Sequence, residues 1–242
     1  MVHFAMNSAK IVLIGDEPNI LRTLRRNLIS RGYEVSIAFD DQEAIEIATQ
    51  QNPDLFVLNL DFTTIKVDGL EICARLRKIS QCPIIVLSTI GSEQIKIQAL
   101  DLGADDYLVM PFDMEEFLAR TRSALRRWTA YKSGIARPNH LILVGDLLIN
   151  TQARQVSVRG EVVKLTRTEY DILQYLAERA GKVVTHQELL RAVWGPEYGE
   201  EREYLRVFIS QLRRKIEDNP LSPKYILTEP GVGYRFASSY PT

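Results

Sequence analysis

The sequence is poor in the features that mark secreted, membrane-spanning and metal-binding proteins. Of its 242 residues two are cysteines, Cys73 and Cys82, and their spacing is not that of metal ligands or of a disulfide framework. The longest apolar runs, such as Ile84–Leu87, have the length of a strand and are far too short to cross a bilayer. No charged-then-apolar signal peptide opens the chain. We therefore expect a cytoplasmic protein with reduced thiols, no membrane contact, no metal and no cofactor, and a redox-sensing role for either cysteine stays open.

The sequence also lacks the side-chain groupings of an enzyme, since it shows no nucleophile–base pair and no cofactor-binding loop. With 25% charged and 45% hydrophobic residues, its composition is that of an ordinary globular protein, and the length suffices for two domains. Residues 1–127 contain 14 basic and 18 acidic side chains, whereas residues 128–242 contain 16 and 13. An acidic first half and a basic second half indicate a control domain joined to a domain that binds a polyanion.

The first half alternates short apolar runs with helical patterns. Five strands are predicted, and each is followed by a helix, of which the last covers Phe117–Arg127. The strands are Ile11–Ile14, Tyr33–Phe39, Leu55–Leu58, Ile84–Leu87 and Tyr107–Val109. This order predicts an α/β fold over residues 8–127, with a five-stranded, doubly wound parallel sheet. Ligands of such sheets bind beyond the carboxyl ends of the strands, where this chain places Gly15–Glu17, Asn59, Ser88 and Met110.

The second half has the order of a winged helix-turn-helix domain. Residues 128–139 show no periodicity and predict a linker, and residues 140–238 follow as the second domain. Four short alternating segments between Leu141 and Leu165 predict a small antiparallel sheet. Thr166, in a capping box, and Thr185 are predicted to begin two helices, and a long basic helix covers Glu203–Asp218. A Gly-rich hairpin closes the domain, which is the order of a DNA-binding fold.

The long basic helix is amphipathic, and Leu205, Phe208 and Leu212 belong to its predicted buried stripe. Arginine, glutamine and serine can contact base edges, and arginine and lysine bind phosphates. A merely solvated basic helix is the alternative. The predicted DNA contacts, with Arg235 added from the hairpin, are Arg202, Arg206, Ser210, Gln211, Arg213, Arg214, Lys215 and Arg235.

Three segments of the second half carry a family resemblance. Leu165–Leu173 and Gly231–Phe236 resemble the effector domain of OmpR/PhoB-type response regulators, and Tyr204–Phe208 is similar to the KdpE-like branch. The resemblance implies a recognition helix over Glu203–Lys215, a wing near the end, double-stranded promoter DNA as partner, and RNA polymerase as a further partner. Pro230 stands where many relatives carry an arginine, so the wing is expected to add little sequence preference.

The first half resembles the receiver domain of the same family over residues 10–127. The likeness rests on Asp16–Pro18, Gly103–Tyr107 and Pro111–Phe112. Receivers use two acids for magnesium, a phosphorylated aspartate, a hydroxyl and a lysine; the matching positions here hold Gly15, Asp16, Asn59, Ser88 and Met110. A neutral carboxamide is not a useful nucleophile towards a phosphoryl group. The resemblance therefore implies an atypical receiver and a regulator that acts without aspartyl phosphorylation.

Two alternatives stay open for the altered pocket. Asp61, two residues beyond Asn59, could be a displaced phosphoacceptor, or a small molecule or partner protein could gate the pocket near Ile14 and Met110. Tyr107 occupies the aromatic switch position that the resemblance implies. The resemblance further implies a constitutive homodimer through an apolar patch of Ile97, Leu100 and Phe117 and a set of charged positions. These positions are Lys96, Asp101, Asp105, Asp106, Glu116, Arg120 and Arg127.

Overall fold

A computed structural model describes residues 8–62, 68–133 and 141–238. The contacts divide the chain into two compact units, Met1–Thr129 and Ala130–Thr242. Residues 134–139 of the predicted linker lie outside the described residues, as do residues 63–67 of the loop that follows Asn59.

The first unit alternates strands and helices as the sequence predicts. Its strands are β1 (Lys10–Ile14), β2 (Glu34–Ala38), β3 (Leu55–Asn59), β4 (Ile84–Ser88) and β5 (Asp106–Val109). Its helices are α1 (Pro18–Ile29), α2 (Asp41–Gln51), α3 (Gly69–Ile79), α4 (Glu93–Asp101) and α5 (Met114–Lys132).

The five strands form one parallel sheet in the order β2-β1-β3-β4-β5, which confirms the predicted α/β class. Every residue of β3 and of β4 is buried, as expected for central strands covered by helices on both faces. Helix starts follow local chemistry: Pro18 opens α1, and the side chains of Asp40, Asp68 and Ser92 accept backbone N–H bonds at the starts of α2, α3 and α4.

Helix α5 continues beyond its predicted end. We expected it to stop at Arg127, but it runs to Lys132, so the first five residues of the predicted linker are helical. Trp128 explains the extension, because its side chain is 9% exposed and its Nε1–H donates to Asp54 Oδ1 at 3.0 Å. Burial of this indole stabilises the additional helical turn.

The described part of the second unit contains two antiparallel sheets and three helices. One sheet has the order β6-β7-β8-β9 and the other the order β10-β12-β11. The elements are β6 (Leu141–Val144), β7 (Leu147–Asn150), β8 (Gln155–Val158), β9 (Glu161–Val163), α6 (Arg167–Ala177), β10 (Val183–Thr185), α7 (His186–Val193), α8 (Arg202–Ile216), β11 (Ile226–Glu229) and β12 (Gly233–Phe236). Sequence reasoning missed β10, which is three residues long and pairs with β12.

The predicted helix starts in this unit are confirmed. The side chain of Thr166 accepts from the N–H of Glu169 in a complete capping box, and that of Thr185 accepts from the N–H of Glu188. A buried aromatic cluster lies between α7 and α8, with Trp194 against Tyr198, Tyr204 and Phe208 at ring-centroid distances of 6.4, 6.1 and 5.4 Å. Among the described residues, no helix combines the length and apolarity needed to span a membrane.

Candidate functional site

The parallel register brings the predicted pocket residues to one edge of the first sheet. Asn59 is the last residue of β3 and Ser88 the last of β4. The N–H of Met110 donates to Ser88 O at 2.8 Å, directly beyond β5, and that of Gly15 donates to Ala38 O at 3.1 Å, directly beyond β1. The carboxyl ends of four neighbouring strands therefore surround one site, as expected from the fold.

Asn59 lies in the middle of this edge and is 2% exposed. Its Oδ1 accepts from the N–H of Asp61 at 3.1 Å, and its buried Nδ2 has no hydrogen-bond partner among the described residues. A Cβ atom built at Gly15 would lie 3.0 Å from the Cβ of Asn59. The site therefore leaves little room for a side chain at the position where the first acid was expected.

Asp61 lies much closer to the pocket than the sequence alone could show. Its Oδ1 accepts from the hydroxyl of Ser88 at 2.8 Å, and its Oδ2 accepts from the N–H of Thr89 at 2.5 Å. The hydroxyl of Ser88 in turn accepts from the N–H of Ile90 at 3.0 Å. The two carboxylate oxygens thus face two donors at the end of β4, in a charge-assisted arrangement.

Tyr107 points into the unit and is 2% exposed. Its hydroxyl donates to the carbonyl oxygen of Ile90 at 2.7 Å. Burial raises the pKa of Tyr107, and the nearby Asp61 charge raises it further, while a hydrogen bond with Ser88 acts in the opposite direction. The phenol is therefore protonated at neutral pH and serves as a donor.

Magnesium does not fit the residues present. Gly15 supplies no ligand, Asn59 supplies a neutral oxygen that already accepts a backbone N–H, and both oxygens of Asp61 accept from donors. Asp16 is then the remaining carboxylate of the expected pair, and a hard divalent cation requires several oxygen ligands. Within the described residues no three His, Cys, Asp or Glu side chains are grouped to hold a metal ion.

Met110 replaces the expected lysine with an apolar side chain that packs against the core of the first unit. It also lines an open cavity of about 530 Å³. Phe112, Leu24 and Ile20 contribute apolar walls, and Thr89 lies at the same cavity. The lysine position has therefore become part of an apolar surface next to the altered pocket.

The expected dimer face is corrected in part. Asp105 is 5% exposed, and its Oδ2 accepts from Arg77 Nη2 at 2.6 Å and from the N–H of Ile84 at 3.0 Å. This carboxylate ties α3 to the sheet and is not a surface contact. Leu100 and Phe117 are both 0% exposed, so they belong to the core rather than to an apolar surface patch.

Arg120 also has a role within the first unit. It donates to Asp106 Oδ1 at 2.9 Å and to Glu116 Oε1 at 2.8 Å, and the side chains of Arg120 and Asp106 are 11% and 2% exposed. This network joins α5 to β5. The charged positions that remain on the solvent side of α4 and α5 include Asp101 and Glu116, which are exposed, and Lys96 and Arg127, which are partly exposed.

The thiols lie in the interior. Cys73 and Cys82 are both 0% exposed and are not paired in a disulfide. Burial raises the pKa of the Cys73 thiol to about 12, with smaller and opposing contributions from Arg77 and Asp105. Because the thiolate is the reactive form, this thiol is chemically inert at neutral pH.

In the second unit, α8 presents part of the predicted DNA-binding set on one face. At about 100° per residue, Arg202, Arg206, Ser210 and Arg213 fall within about 80° of one another, whereas Lys215 lies on the far side. Arg202 and Arg206 are exposed, and Ser210 is partly exposed. The opposite stripe is buried and includes the predicted Leu205, Phe208 and Leu212, together with Tyr204, Val207, Ile209 and Ile216. Arg214, at about 120° from Arg202, extends the polar face. Gln211, at about 180°, falls between the buried Val207 and Tyr204, so this predicted DNA contact lies outside the polar face.

Three predicted DNA contacts are held by bonds inside the domain. Arg213 Nη2 donates to Ile226 O at 2.6 Å and to Thr228 Oγ1 at 2.8 Å, which joins α8 to β11. Burial lowers the pKa of Arg213, although it remains a cation. Lys215 Nζ lies 2.7 Å from both carboxylate oxygens of Glu169, which is 1% exposed. Arg235 donates to Glu229 Oε1 at 2.7 Å.

Glu217 is a positioning residue that sequence reasoning missed. It directly follows α8, is 8% exposed, and its carboxylate accepts from the N–H groups of Lys224, Tyr225 and Ile226 at 2.8, 2.9 and 2.9 Å. These bonds fix the chain between α8 and the hairpin. Sequence reasoning missed it because nothing local indicates that three backbone donors converge there.

Backbone geometry defines the hairpin. Gly231 has φ +74°, which glycine adopts without strain. A Cβ atom at Gly233 would lie 2.0 Å from Val184 O, so no other residue fits beside β10. His186 lies edge-on to Tyr234 at a ring-centroid distance of 5.5 Å. Burial lowers the pKa of His186, and the charges of Arg202 and Arg206 lower it further.

Comparisons with known proteins agree with both units. Residues 11–122 match the response regulator receiver domain, and residues 160–236 match the C-terminal domain of transcriptional regulatory proteins. A receiver followed by this effector domain defines a DNA-binding response-regulator transcription factor. The chain is 44% identical over 226 residues to the transcriptional regulatory protein KdpE of Mycobacterium tuberculosis, covering 93% of this chain and 98% of the relative. It belongs to the OmpR/PhoB family of response regulators.

Solved structures of a protein named RitR are also similar to the chain. A cysteine-to-serine mutant matches with a TM-score of 0.73 and 27% identity, covering 95% of this chain and 99% of that one. A cysteine-to-aspartate mutant matches with a TM-score of 0.72, 26% identity and the same coverage.

Proposed function

We propose that this regulator binds promoter DNA without phosphorylation of an aspartate in its receiver unit. Asn59 is the observation that supports the proposal: a buried carboxamide occupies the end of β3 at the position of the phosphoacceptor. A carboxylate can attack a phosphoryl group to form an acyl phosphate, and a neutral carboxamide cannot do so usefully. Gly15 and Met110 remove two further charges that would hold magnesium and neutralise the transferring phosphoryl group.

DNA recognition is assigned to the exposed face of α8. Arg202, Arg206 and Ser210 are of the types that reach base edges in the major groove, and the exposed Arg214 is assigned to phosphate contact. Arg213 and Lys215 act as positioning residues, because their bonds hold α8 against β11 and α6. RNA polymerase as a further partner rests on the family resemblance.

The receiver unit is proposed to form a homodimer through α4, β5 and α5 without a phosphoryl donor. Lys96, Asp101, Glu116 and Arg127 supply the charged positions of this face. Exposed ion pairs contribute little each, so apolar contact is needed as well. Ile90, which is 46% exposed in the loop before α4, supplies such a surface.

A second candidate is a regulator gated by an apolar small molecule. The cavity of about 530 Å³ beside Met110 favours it, since its volume is that of an ordinary ligand pocket. Native mass spectrometry of the purified chain checks this candidate, because a retained ligand appears as a discrete mass that is lost on denaturation.

Sedimentation equilibrium of the full chain tests the main proposal. We expect a dimer at micromolar concentration, with the same dissociation constant before and after incubation with acetyl phosphate and magnesium. Lys96→Glu should weaken the dimer by about tenfold, because two-fold symmetry repeats the unfavourable charge in each dimer. Lys78→Glu, an exposed position on α3 outside the face, is the matched control and should leave the constant unchanged. A monomer that dimerises only after the phosphoryl donor is added would contradict the proposal.

A further inference from the structure

The end of β4 offers two hydrogen-bond donors that suit an anion. The hydroxyl of Ser88 is on a side chain that is 0% exposed, and the N–H of Thr89 follows it directly. Both donate to Asp61, at 2.8 and 2.5 Å, and each carboxylate oxygen takes one donor. Because each of the two carboxylate oxygens accepts from a different donor, the Asp61 carboxylate is bound in a bidentate manner and its position is fixed.

Residues 59–62, directly after β3, position this carboxylate. The N–H of Asp61 donates to Asn59 Oδ1 at 3.1 Å, and that of Phe62 donates to Leu60 O at 3.0 Å, so the chain turns immediately beyond the strand. An aspartate in place of Asn59 would bring a second negative charge close to the Asp61 carboxylate, and the two carboxylates would repel each other. The neutral carboxamide avoids that repulsion while it keeps the accepting oxygen.

Gly15 and Met110, the other two departures from the receiver pattern, also favour the binding of Asp61 to Ser88 and Thr89. Gly15 places no acid beside Asn59, where a Cβ atom would already lie 3.0 Å from the Asn59 Cβ. Met110 packs against the core and offers no cation that could draw Asp61 away from Ser88. The three differences thus remove three charges from the site, where Asp16 is the receiver acid that remains, and Asp61 is held by neutral donors.

The bonds continue from Asp61 to the aromatic position. Ser88 Oγ accepts from the N–H of Ile90 at 3.0 Å, and Ile90 O accepts from the hydroxyl of Tyr107 at 2.7 Å. The anion, the loop before α4 and the inward Tyr107 therefore belong to one connected set of hydrogen bonds. Such networks hold a loop in a single arrangement when every member has its partner.

We propose that the Asp61 carboxylate is a built-in anion that occupies the Ser88 hydroxyl and Thr89 amide in place of an incoming oxyanion, and so fixes the loop before α4 with Tyr107 inward. In this role Asp61 is a bound ligand and not a phosphoacceptor. The inference rests on the proposed phosphorylation independence and gives it a mechanism, because the receiver carries its own anion.

The test uses NMR of the isotopically labelled full chain. Asp61→Ala should shift the Thr89 and Ile90 amide resonances, change the Tyr107 ring signals, and speed hydrogen exchange of the Thr89 amide by about tenfold or more, since a hydrogen bond to a charged group is lost. Asp61→Asn keeps the shape without the charge and should move the same signals in the same direction. Asp113→Asn is the matched control, because Asp113 Oδ1 accepts from the N–H of Glu115 at the start of α5.

The outcomes separate this inference from the proposed function. If Asp61→Ala leaves the Thr89, Ile90 and Tyr107 signals as in the original chain, or if Asp113→Asn moves them equally, the built-in anion is refuted while phosphorylation independence stands. If acetyl phosphate adds a phosphoryl group at Asp61 of the unmodified chain, the proposed function is itself refuted. Two results support the inference. The Thr89, Ile90 and Tyr107 signals of the wild-type chain do not respond to inorganic phosphate. In the Asp61→Ala variant the same signals return towards their wild-type positions when acetate is added.

Discussion

Replacing Lys215 with methionine should destabilise the second unit and leave the electrostatics of DNA binding almost unchanged. Lys215 Nζ lies 2.7 Å from both oxygens of Glu169, a carboxylate that is 1% exposed and whose other bond comes from the N–H of Thr166 at 2.6 Å. Without the lysine, the buried Glu169 carboxylate keeps one backbone donor among the described residues. Methionine is chosen because it preserves helix propensity and side-chain length.

The magnitude follows from how buried the pair is. Removing one partner of a fully buried ion pair costs about 3–5 kcal/mol, because the remaining charge stays desolvated. The Lys215 side chain is 35% exposed, so water partly screens this pair and can reach the carboxylate. We therefore expect the free energy of unfolding of the second unit to fall by about 1–3 kcal/mol.

Urea denaturation in a Trp128→Phe background measures this loss, because the fully buried Trp194 then reports on the second unit. Glu169→Gln and the double variant complete a cycle, in which the double change should cost about 1–2 kcal/mol less than the sum of the single changes. Lys182→Met removes one exposed charge after α6 and should alter stability by about 0.5 kcal/mol or less. If Lys215→Met leaves stability unchanged and lowers the salt dependence of DNA binding by about one unit of slope, this role is refuted and Lys215 is a phosphate contact.

Three further predictions concern other side chains. Arg206→Ala should weaken binding to a selected DNA site by about 1–3 kcal/mol and relax base preference in a binding-site selection, because the exposed guanidinium lies at the centre of the polar face of α8; equal loss on all sequences would assign it to phosphate instead. Cys73 should resist alkylation in the native chain, since burial raises its thiol pKa to about 12, and rapid modification in a timed mass measurement would overturn this. The pKa of His186 is lowered in the folded chain, so the unfolded chain takes up a proton first as pH falls, and the free energy of unfolding should decrease below the usual histidine pKa. His186→Gln should make the free energy of unfolding, measured by urea denaturation, depend less on pH over that interval. An unchanged pH dependence would contradict this prediction.

Periodicity was sufficient to predict the order of nearly all elements. Apolar runs of strand length, helical spacing and caps such as Thr166 are local features, and each depends on a few neighbouring residues. The end of α5 was missed because Trp128 is buried through a contact with Asp54, far away in sequence. Strand β10 was missed because three residues carry too little alternation to be recognised.

The composition of the site was predictable, but its bonding was not. Asn59, Gly15 and Met110 were identified because each stands at the end of a recognisable strand. The bond from Ser88 to Asp61 depends on how one loop folds over another, which no local pattern encodes. For the same reason Lys215 was predicted to face DNA, although it contacts Glu169, 46 residues away along the chain.

Intact-mass spectrometry of the full chain after incubation with acetyl phosphate and magnesium tests the central claim most directly. The account predicts no gain of a phosphoryl group, because Asn59 cannot act as the nucleophile and both oxygens of Asp61 accept hydrogen bonds from Ser88 and Thr89. A typical receiver of the family, treated in parallel, shows that the donor is active. A stoichiometric gain of one phosphoryl group that disappears in the Asp61→Asn variant would contradict the account and establish a phosphorylation-switched regulator.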